Sequence, residues 1–189
     1  MKYESLDINN YYHIFNQGNN GEDIFIEEMN YAHFLNLLKK HIIPVSKILS
    51  YCLLKNHFHL LVHIKEIDDQ KMISRAFSNF FNAYAKSINK KYNRTGSLFR
   101  DRFRRIKVLD EEYLKKLIIY VNLNPIYHGF VSKLNEFKHS SYLSLISDDE
   151  TFIEKEEVIH LFNDTENFIF YLNTQKIEFD DKLKELILE

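Results

Sequence analysis

Short runs of aromatic, β-branched and apolar residues predict strands in the first third of the chain. Residues 12–15 form one such run, which leads into a polar turn at 16–21, and residues 23–26 form a second, weaker candidate. Residues 45–54 and 57–64 are two longer apolar runs separated by a two-residue turn. The pattern therefore predicts a β-hairpin preceded by one or two short strands.

Apolar residues recur at helical spacing in three further segments, which predict helices. These segments are 27–41, 68–92 and 111–123. Asp110 is a typical N-cap for the third helix, and Pro125 is expected to stop it and to push Asn124 away from helical geometry. Residues 103–108 fit a strand between the second and third helices.

The order strand, helix, strand, strand, helix, strand, helix indicates an α+β fold. The nearest named arrangement is the ferredoxin-like βαββαβ pattern, an antiparallel sheet with helices on one face. We assign residues 1–145 to this domain. Residues 146–189 are expected to form a small acidic helical extension at the C-terminal end.

Composition narrows the class of protein further. The chain has 189 residues, of which 45% are hydrophobic, so it can bury a core. Its four glycines form neither the G-x-x-x-x-G-K-[ST] nor the G-x-G-x-x-G motif, the two glycine-rich loops that bind phosphate. The single cysteine, Cys52, lies in an apolar run and fits an inert buried thiol in a reducing compartment. With no signal-peptide pattern and no apolar window near 18 residues, we expect a cytoplasmic protein without a membrane contact.

The net charge of −2 hides two strongly charged segments. Residues 86–107 carry nine basic side chains and one acid, whereas residues 145–189 carry thirteen acids and four lysines. A folded chain with one such cationic segment is a candidate for binding a polyanion. The basic residues that we expect to contact nucleic acid are Lys90, Lys91, Arg94, Arg100, Arg102, Arg104 and Arg105.

Two histidines in the 57–64 strand could bind a metal ion. Strand side chains alternate between faces, so His57 and His59 share one face with His63, while Phe58 and its alternate neighbours share the other. Two adjacent imidazoles can chelate a divalent cation. Taken alone, the pattern fits two partly exposed histidines without a ligand better than a metal site. His63 is a further candidate ligand.

The third predicted helix carries polar side chains beside its apolar stripe. Tyr113, Tyr120 and Asn124 are spaced by seven and four residues, so they lie along one side of the helix. Tyr120 and Asn124 can therefore point at the same place. The spacing does not by itself select Tyr120 from the twelve tyrosines of the chain.

Four ordered blocks of the sequence resemble the single-tyrosine HUH transposases, and in particular their REP-associated tyrosine transposase branch. The blocks are NHFHLLV (56–62), SINKKYNRTGSLFRDRF (87–103), YVNLNPIYHGFV (120–131) and KHSSY (138–142). The third resembles the family pattern YIHLNPVRAGLV, and its longest run of differences is Ile126, Tyr127 and His128 in place of Val, Arg and Ala. The resemblance spans about residues 11–145.

The resemblance implies the HUH endonuclease fold and a specific chemistry. His57 and His59 would be metal ligands, Asn124 the third ligand, and Tyr120 the nucleophile that attacks the DNA backbone. The cofactor would be a divalent metal ion, Mg²⁺ or Mn²⁺. The reaction would nick and rejoin single-stranded or hairpin DNA through a 5′-phosphotyrosine intermediate.

Some alternatives stay open at this level. The protein could be an inactive or domesticated DNA-binding regulator of the same fold, or a replication initiator or relaxase that uses the same chemistry. Phe99 and Phe103 could stack on bases, but a place in the core fits them better. The acidic extension could mask the basic segment, mediate self-association or pack on the domain. A homodimer is one option for the assembly, with the active site built within one chain or across two.

Overall fold

The computed structural model describes residues 5–174 of the chain. Four strands and six α-helices follow one another with short connections in this part of the protein. In chain order they are β1 (Tyr11–Gln17), α1 (Glu28–His41), β2 (Ser46–Leu53), β3 (His57–Ile64), α2 (Lys71–Lys91), β4 (Arg104–Val108), α3 (Glu111–Tyr127), α4 (Tyr142–Ile146), α5 (Lys155–Leu161) and α6 (Thr165–Thr174).

The strands form one antiparallel sheet in the order β2-β3-β1-β4. This order, with α1 and α2 as the two crossovers, is that of the ferredoxin-like βαββαβ pattern. The predicted α+β fold class is therefore confirmed. The sheet places β1 and β3 at its centre, while β2 and β4 form its two edges.

The two faces of the sheet differ in what covers them. On one face, Phe58 of β3 packs against Phe34 of α1 and Phe81 of α2, with ring centroids 5.2 and 5.5 Å apart. The opposite face, which carries His57 and His59, lies under α3. The expectation of helices on one face thus holds for α1 and α2. Helix α3 adds a second layer on the opposite face, and it buries His57 and His59 there.

Two local predictions were wrong. Residues 23–26 do not form a strand; instead the backbone N–H groups of Ile24 and Phe25 both donate to the carbonyl of Lys55, at 2.8 and 2.9 Å. Helix α3 does not stop before Pro125 but continues to Tyr127. Proline removes one helical hydrogen bond, and the burial of the last turns of α3 against the sheet outweighs that loss.

The described part of the acidic extension packs beside β2. The N–H of Glu154 donates to the carbonyl of Ile48 at 2.9 Å, and Glu157 accepts hydrogen bonds from Lys47 and Tyr11. This is the sheet edge away from the basic strand β4. The domain boundary at residue 145 stays a prediction. Among residues 5–174, no helix combines the length and apolarity that crossing a membrane requires.

Candidate active site

The two histidines of β3 lie on one face of the sheet, as strand alternation predicts. His57 and His59 are 4% and 0% exposed, and their ring centroids are 5.3 Å apart. They are not partly exposed side chains, because α3 covers this face. His63, which follows Leu61 on the same face, stacks on Tyr11 and lies 3.6 Å from a carboxylate oxygen of Glu157, away from the other two histidines.

Helix α3 brings Tyr120 and Asn124 to the histidines. The ring of Tyr120 meets the ring of His59 edge to face, with centroids 5.5 Å apart. One turn later, the Oδ1 atom of Asn124 lies 3.3 Å from the Nε2 atom of His57. Helical spacing thus predicted the convergence of Tyr120 and Asn124 on the histidine face correctly.

A buried polar cluster fixes α3 on the sheet between these contacts. The side-chain amide of Asn122 donates to the hydroxyl of Ser50 at 3.0 Å and accepts a hydrogen bond from Ser141 at 3.0 Å. The hydroxyls of Ser50 and Ser141 are 2.9 Å apart, and all three residues are buried. Because such groups are costly to leave unpaired, the cluster defines the position of α3 along β2.

Two further histidines lie beside His57 and His59. His13 of β1 is fully buried, and its Nε2 atom lies 3.0 Å from Nδ1 of His59. His128, just after α3, meets the ring of His57 at a centroid distance of 4.7 Å. His13 could have been found from the antiparallel pairing of β1 with β3, which places it on the same sheet face as His59. His128 lies four residues after Asn124, about one helical turn. The prediction that the helix ends at Pro125 concealed this spacing.

Burial keeps the imidazoles of His13, His57 and His59 uncharged. Desolvation lowers the pKa of His13 to about 3 and, together with the neighbouring His128, that of His57 to about 4. The hydrogen bond that a protonated His57 would donate to Oδ1 of Asn124 opposes this lowering of the His57 pKa. The pKa of His59 is also held well below its ordinary value by burial and by the adjacent histidines. These side chains are therefore neutral at pH 7, which is the form that binds a metal ion.

The donor groups fit a divalent cation. The Oδ1 atom of Asn56 accepts a hydrogen bond from Nδ1 of His57 at 2.8 Å, which leaves Nε2 with its lone pair directed at Asn124 Oδ1. Two acceptors thus face each other at 3.3 Å. Neighbouring ligands of one ion are about 3 Å apart when bonds near 2.1 Å meet at right angles.

The kind of third ligand is also restricted. Among residues 5–174, no three His, Cys, Asp or Glu side chains converge closely enough to hold a metal ion. A ligand set from this part of the chain therefore needs another donor type, and the amide oxygen of Asn124 is in place beside His57. The Nδ2 atom of Asn124 is buried without a hydrogen-bond partner among the described residues.

Access to the tyrosine is restricted. Tyr120 is 2% exposed, whereas Tyr127 and His128 after it are exposed at the surface. Tyr127 stacks against Tyr120 at 6.3 Å, and His128 packs on His57. Tyr127 therefore covers part of the Tyr120 ring, and His128 covers part of the His57 ring.

The basic residues predicted to contact nucleic acid lie in different settings. Arg94 and Lys91 form ion pairs with Glu22 and Glu27. Arg104 of β4 lies over the ring of Phe15 on the histidine face, and Arg105 lies over the ring of Phe103 on the other face. The other three are exposed: Lys90 lies at the end of α2, and Arg100 and Arg102 lie in the loop before β4.

The two aromatic residues of the basic segment pack inward. Phe99 is 6% exposed and lies against Phe58 and Phe81, with ring centroids 6.1 and 5.7 Å apart. Phe103 is half-buried and stacks on Phe77 at 5.5 Å. The preference for a place in the core therefore agrees with the structure.

No family model matches this chain, whereas a curated protein and solved structures are similar to it. A curated protein of Haemophilus influenzae, named as a REP-associated tyrosine transposase, is 29% identical over 99 residues. The match covers 48% of this chain and 56% of that relative, so the chain spans little more than half of the relative's length.

The second match is a solved structure of a REP-associated tyrosine transposase bound to a REP hairpin. It superposes with a TM-score of 0.60 at 15% identity and covers 78% of this chain and 86% of that one. At this identity the likeness concerns the fold. In sequence through the first match and in fold through the second, the resemblance of this chain to the REP-associated tyrosine transposases is confirmed.

Proposed function

We propose that this protein nicks and rejoins single-stranded DNA that contains a hairpin, with Tyr120 as the nucleophile. The observation that carries the proposal is the convergence of Tyr120, His57, His59 and Asn124 in one buried cluster, where the rings of Tyr120 and His59 are 5.5 Å apart. The solved structure of similar fold holds a REP hairpin, which makes hairpin DNA the first substrate to test.

His57, His59 and Asn124 would hold the divalent cation, Mg²⁺ or Mn²⁺. When bound, the cation supplies a Lewis acid for a non-bridging oxygen of the scissile phosphate. The protein's own part is to keep the three donors neutral and in place. Burial keeps the imidazoles neutral. The hydrogen bond from Nδ1 of His57 to Asn56 and the one between Nδ1 of His59 and Nε2 of His13 orient the two rings.

Tyr120 then attacks phosphorus in line with the leaving 3′-oxygen. The bond between the Tyr120 oxygen and phosphorus forms as the bond from phosphorus to the 3′-oxygen breaks, which gives a 5′-phosphotyrosine and a free 3′-hydroxyl. The phenol releases one proton and the 3′-oxygen gains one. Attack by another 3′-hydroxyl reverses these changes and rejoins the strand, so no nucleotide cofactor is consumed.

The direct test is trapping of the covalent intermediate. Wild type and Tyr120→Phe are incubated with a hairpin oligonucleotide that carries a single-stranded flank, labelled on the 5′ side and on the 3′ side in separate reactions. With Mn²⁺ or Mg²⁺ present, wild type should form a denaturation-resistant adduct with the 3′-side label only. Tyr120→Phe should form none.

Controls separate the chemistry from binding. Tyr127→Phe keeps a ring beside Tyr120 and should still form the adduct. An adduct in Tyr120→Phe would show that another tyrosine is the nucleophile. No adduct in wild type with either metal, together with normal hairpin binding, would instead favour an inactive DNA-binding regulator of the same fold.

A further inference from the structure

An exposed imidazole that the family pattern lacks lies against His57. The pattern YIHLNPVRAGLV has alanine where this chain has His128, directly after α3. His128 is exposed to solvent, yet its ring packs on that of His57, with centroids 4.7 Å apart and an angle of 62° between the planes. The difference from the pattern thus places an additional nitrogen ligand beside the proposed metal site.

His128 and Asn124 extend from the same side of the helix. They are four residues apart, and the N–H of His128 donates to the carbonyl of Asn124 at 3.0 Å, which completes the helical turn between them. Side chains four residues apart on a helix lie one above the other, and two ligands of one metal ion can have this spacing. His57 and His59 are the corresponding pair on a strand, where residues two apart share a face.

The distances between the rings fit imidazoles that share an ion. With metal–nitrogen bonds of about 2.1 Å, each ring centre lies about 3.2 Å from the ion, so two ring centres are about 4.6 Å apart at a right angle and about 5.3 Å apart at the tetrahedral angle. The rings of His57 and His128 are 4.7 Å apart, and those of His57 and His59 are 5.3 Å apart. Both pairs are therefore spaced as two ligands of one ion would be.

The exposed ring is the one that can turn towards an ion. As they stand, no three His, Cys, Asp or Glu side chains among residues 5–174 converge closely enough to hold a metal ion. His57 and His59 are buried, and their Nδ1 atoms are engaged by Asn56 and His13. The χ2 torsion of histidine has a broad minimum, so rotation of the His128 ring can direct one of its nitrogens to an ion beside His57.

We propose that His128 is a further protein ligand of the cation held at His57 and Asn124. It raises the number of imidazole ligands from two to three. Imidazole suits ions such as Ni²⁺ and Zn²⁺, whereas Mg²⁺ and Mn²⁺ favour oxygen ligands. His128 therefore shifts the preference of the site towards the ions that favour nitrogen. This inference rests on the metal site of the proposed function, and it assigns His128 to metal selectivity.

Isothermal titration calorimetry with Ni²⁺ and with Mn²⁺ tests the assignment. His128→Ala restores the residue of the family pattern and should weaken Ni²⁺ binding about tenfold or more. It should weaken Mn²⁺ binding by less than about threefold, because Mn²⁺ readily takes a water molecule in place of the imidazole. His128→Phe keeps an aromatic ring but has no ring nitrogen, so its Ni²⁺ affinity should fall as much as that of His128→Ala. His160→Ala is the matched control, because His160 is an exposed histidine of α5.

A second measurement identifies the ligand atoms. When Zn²⁺ binds to an imidazole, the resonance of the bound nitrogen shifts in long-range proton–nitrogen correlation spectra of the histidine side chains. In wild type, one ring nitrogen of His128 should shift together with those of His57 and His59, and the nitrogens of His160 should not. Thermal melting without metal establishes that each variant is folded, as the exposure of His128 leads us to expect.

The outcomes separate this inference from the nicking function. Ni²⁺ affinities within about twofold of wild type in both His128→Ala and His128→Phe would overturn it. A loss in His128→Ala alone would also overturn it, because the ring would then act by packing. So would a His128 resonance that stays in place while those of His57 and His59 shift. A wild-type protein that binds Ni²⁺ through His128 but forms no DNA adduct would refute the nicking function alone, and one that binds no divalent cation would refute both.

Discussion

The Nε2 atom of His57 lies 3.3 Å from the Oδ1 atom of Asn124, although 67 residues separate the two in the chain. The contact joins the start of β3 to the last turn of α3 and places two lone pairs opposite each other. Repulsion between two such acceptors is relieved when a cation lies between them. We therefore expect a bound divalent cation to be held at this pair.

The first prediction concerns this pair. Asn124→Ala removes one donor and should weaken Mn²⁺ binding at least about tenfold, as measured by isothermal titration calorimetry. His63→Ala is the matched control, because His63 is on the same strand face but contacts Tyr11 and Glu157 instead. Equal affinities in wild type and Asn124→Ala would remove Asn124 from the ligand set.

Much of this site follows from periodicity alone. The two-residue period of β3 places His57 with His59, and the helical period of α3 places Tyr120 with Asn124. That the two pairs meet requires α3 to lie on the histidine face, and no local pattern specifies which face a helix covers. The face is decided by which side of the sheet still has apolar area to bury after α1 and α2 have packed.

The errors have a common physical origin in tertiary packing. Pro125 lacks a backbone N–H and therefore predicts the end of α3. The last turn stays helical because it is buried and because the N–H of His128 donates to the carbonyl of Asn124 at 3.0 Å. Residues 23–26 have the residue types of a strand, yet Ile24 and Phe25 bond to a turn carbonyl. Local propensity cannot anticipate either contact.

The second prediction tests His13 as a positioning residue. Its Nε2 atom lies 3.0 Å from Nδ1 of His59, so it contacts the ring nitrogen opposite Nε2, the atom that we propose as the metal ligand. His13→Phe should weaken Mn²⁺ binding about tenfold or more while the protein stays folded. His13→Gln keeps a hydrogen-bonding group and should recover part of the affinity. If both variants bind Mn²⁺ like wild type, His13 is only a core residue.

The third prediction concerns the polar cluster under α3. Asn122→Leu keeps the side-chain volume but leaves the hydroxyls of Ser50 and Ser141 without their amide partner. The free energy of unfolding should fall by about 2 kcal/mol, measured by urea denaturation. Asn79→Leu, at an exposed position of α2, should change it by less than about 0.5 kcal/mol. An unchanged stability in Asn122→Leu would show that α3 is held by its apolar contacts alone.

The fourth prediction separates the arginines by their setting. Arg104 lies over Phe15 beside the histidine site, whereas Arg94 is engaged by Glu22. Arg104→Gln should lower the slope of log affinity against log salt by about 0.7 for single-stranded DNA. Arg94→Gln should lower it less, because its charge is already partly neutralised. Anisotropy titrations at several salt concentrations measure both slopes. A larger change in Arg94→Gln than in Arg104→Gln would show that the DNA contacts Arg94 and not the side of the sheet that carries Arg104.

The last prediction concerns the link between the acidic extension and the sheet. Burial raises the pKa of Glu157, but hydrogen bonds from Lys47 and Tyr11 outweigh it, and the pKa lies below its ordinary value of 4.5. A carboxyl whose pKa is lowered by folding stabilises the protein above its unfolded-state pKa, and this contribution is lost as the pH falls through the folded-state value.

Glu157→Gln should therefore cost at most about 1 kcal/mol of unfolding free energy at pH 7, since the ion pair with Lys47 is partly exposed. The difference from wild type should shrink as the pH falls below about 4.5, when the wild-type carboxyl is also neutral. Urea denaturation at a series of pH values measures it. Glu156→Gln is the matched control, and a cost in Glu157→Gln that is equal at pH 7 and pH 3 would show that the shape of the side chain holds the extension and not its charge.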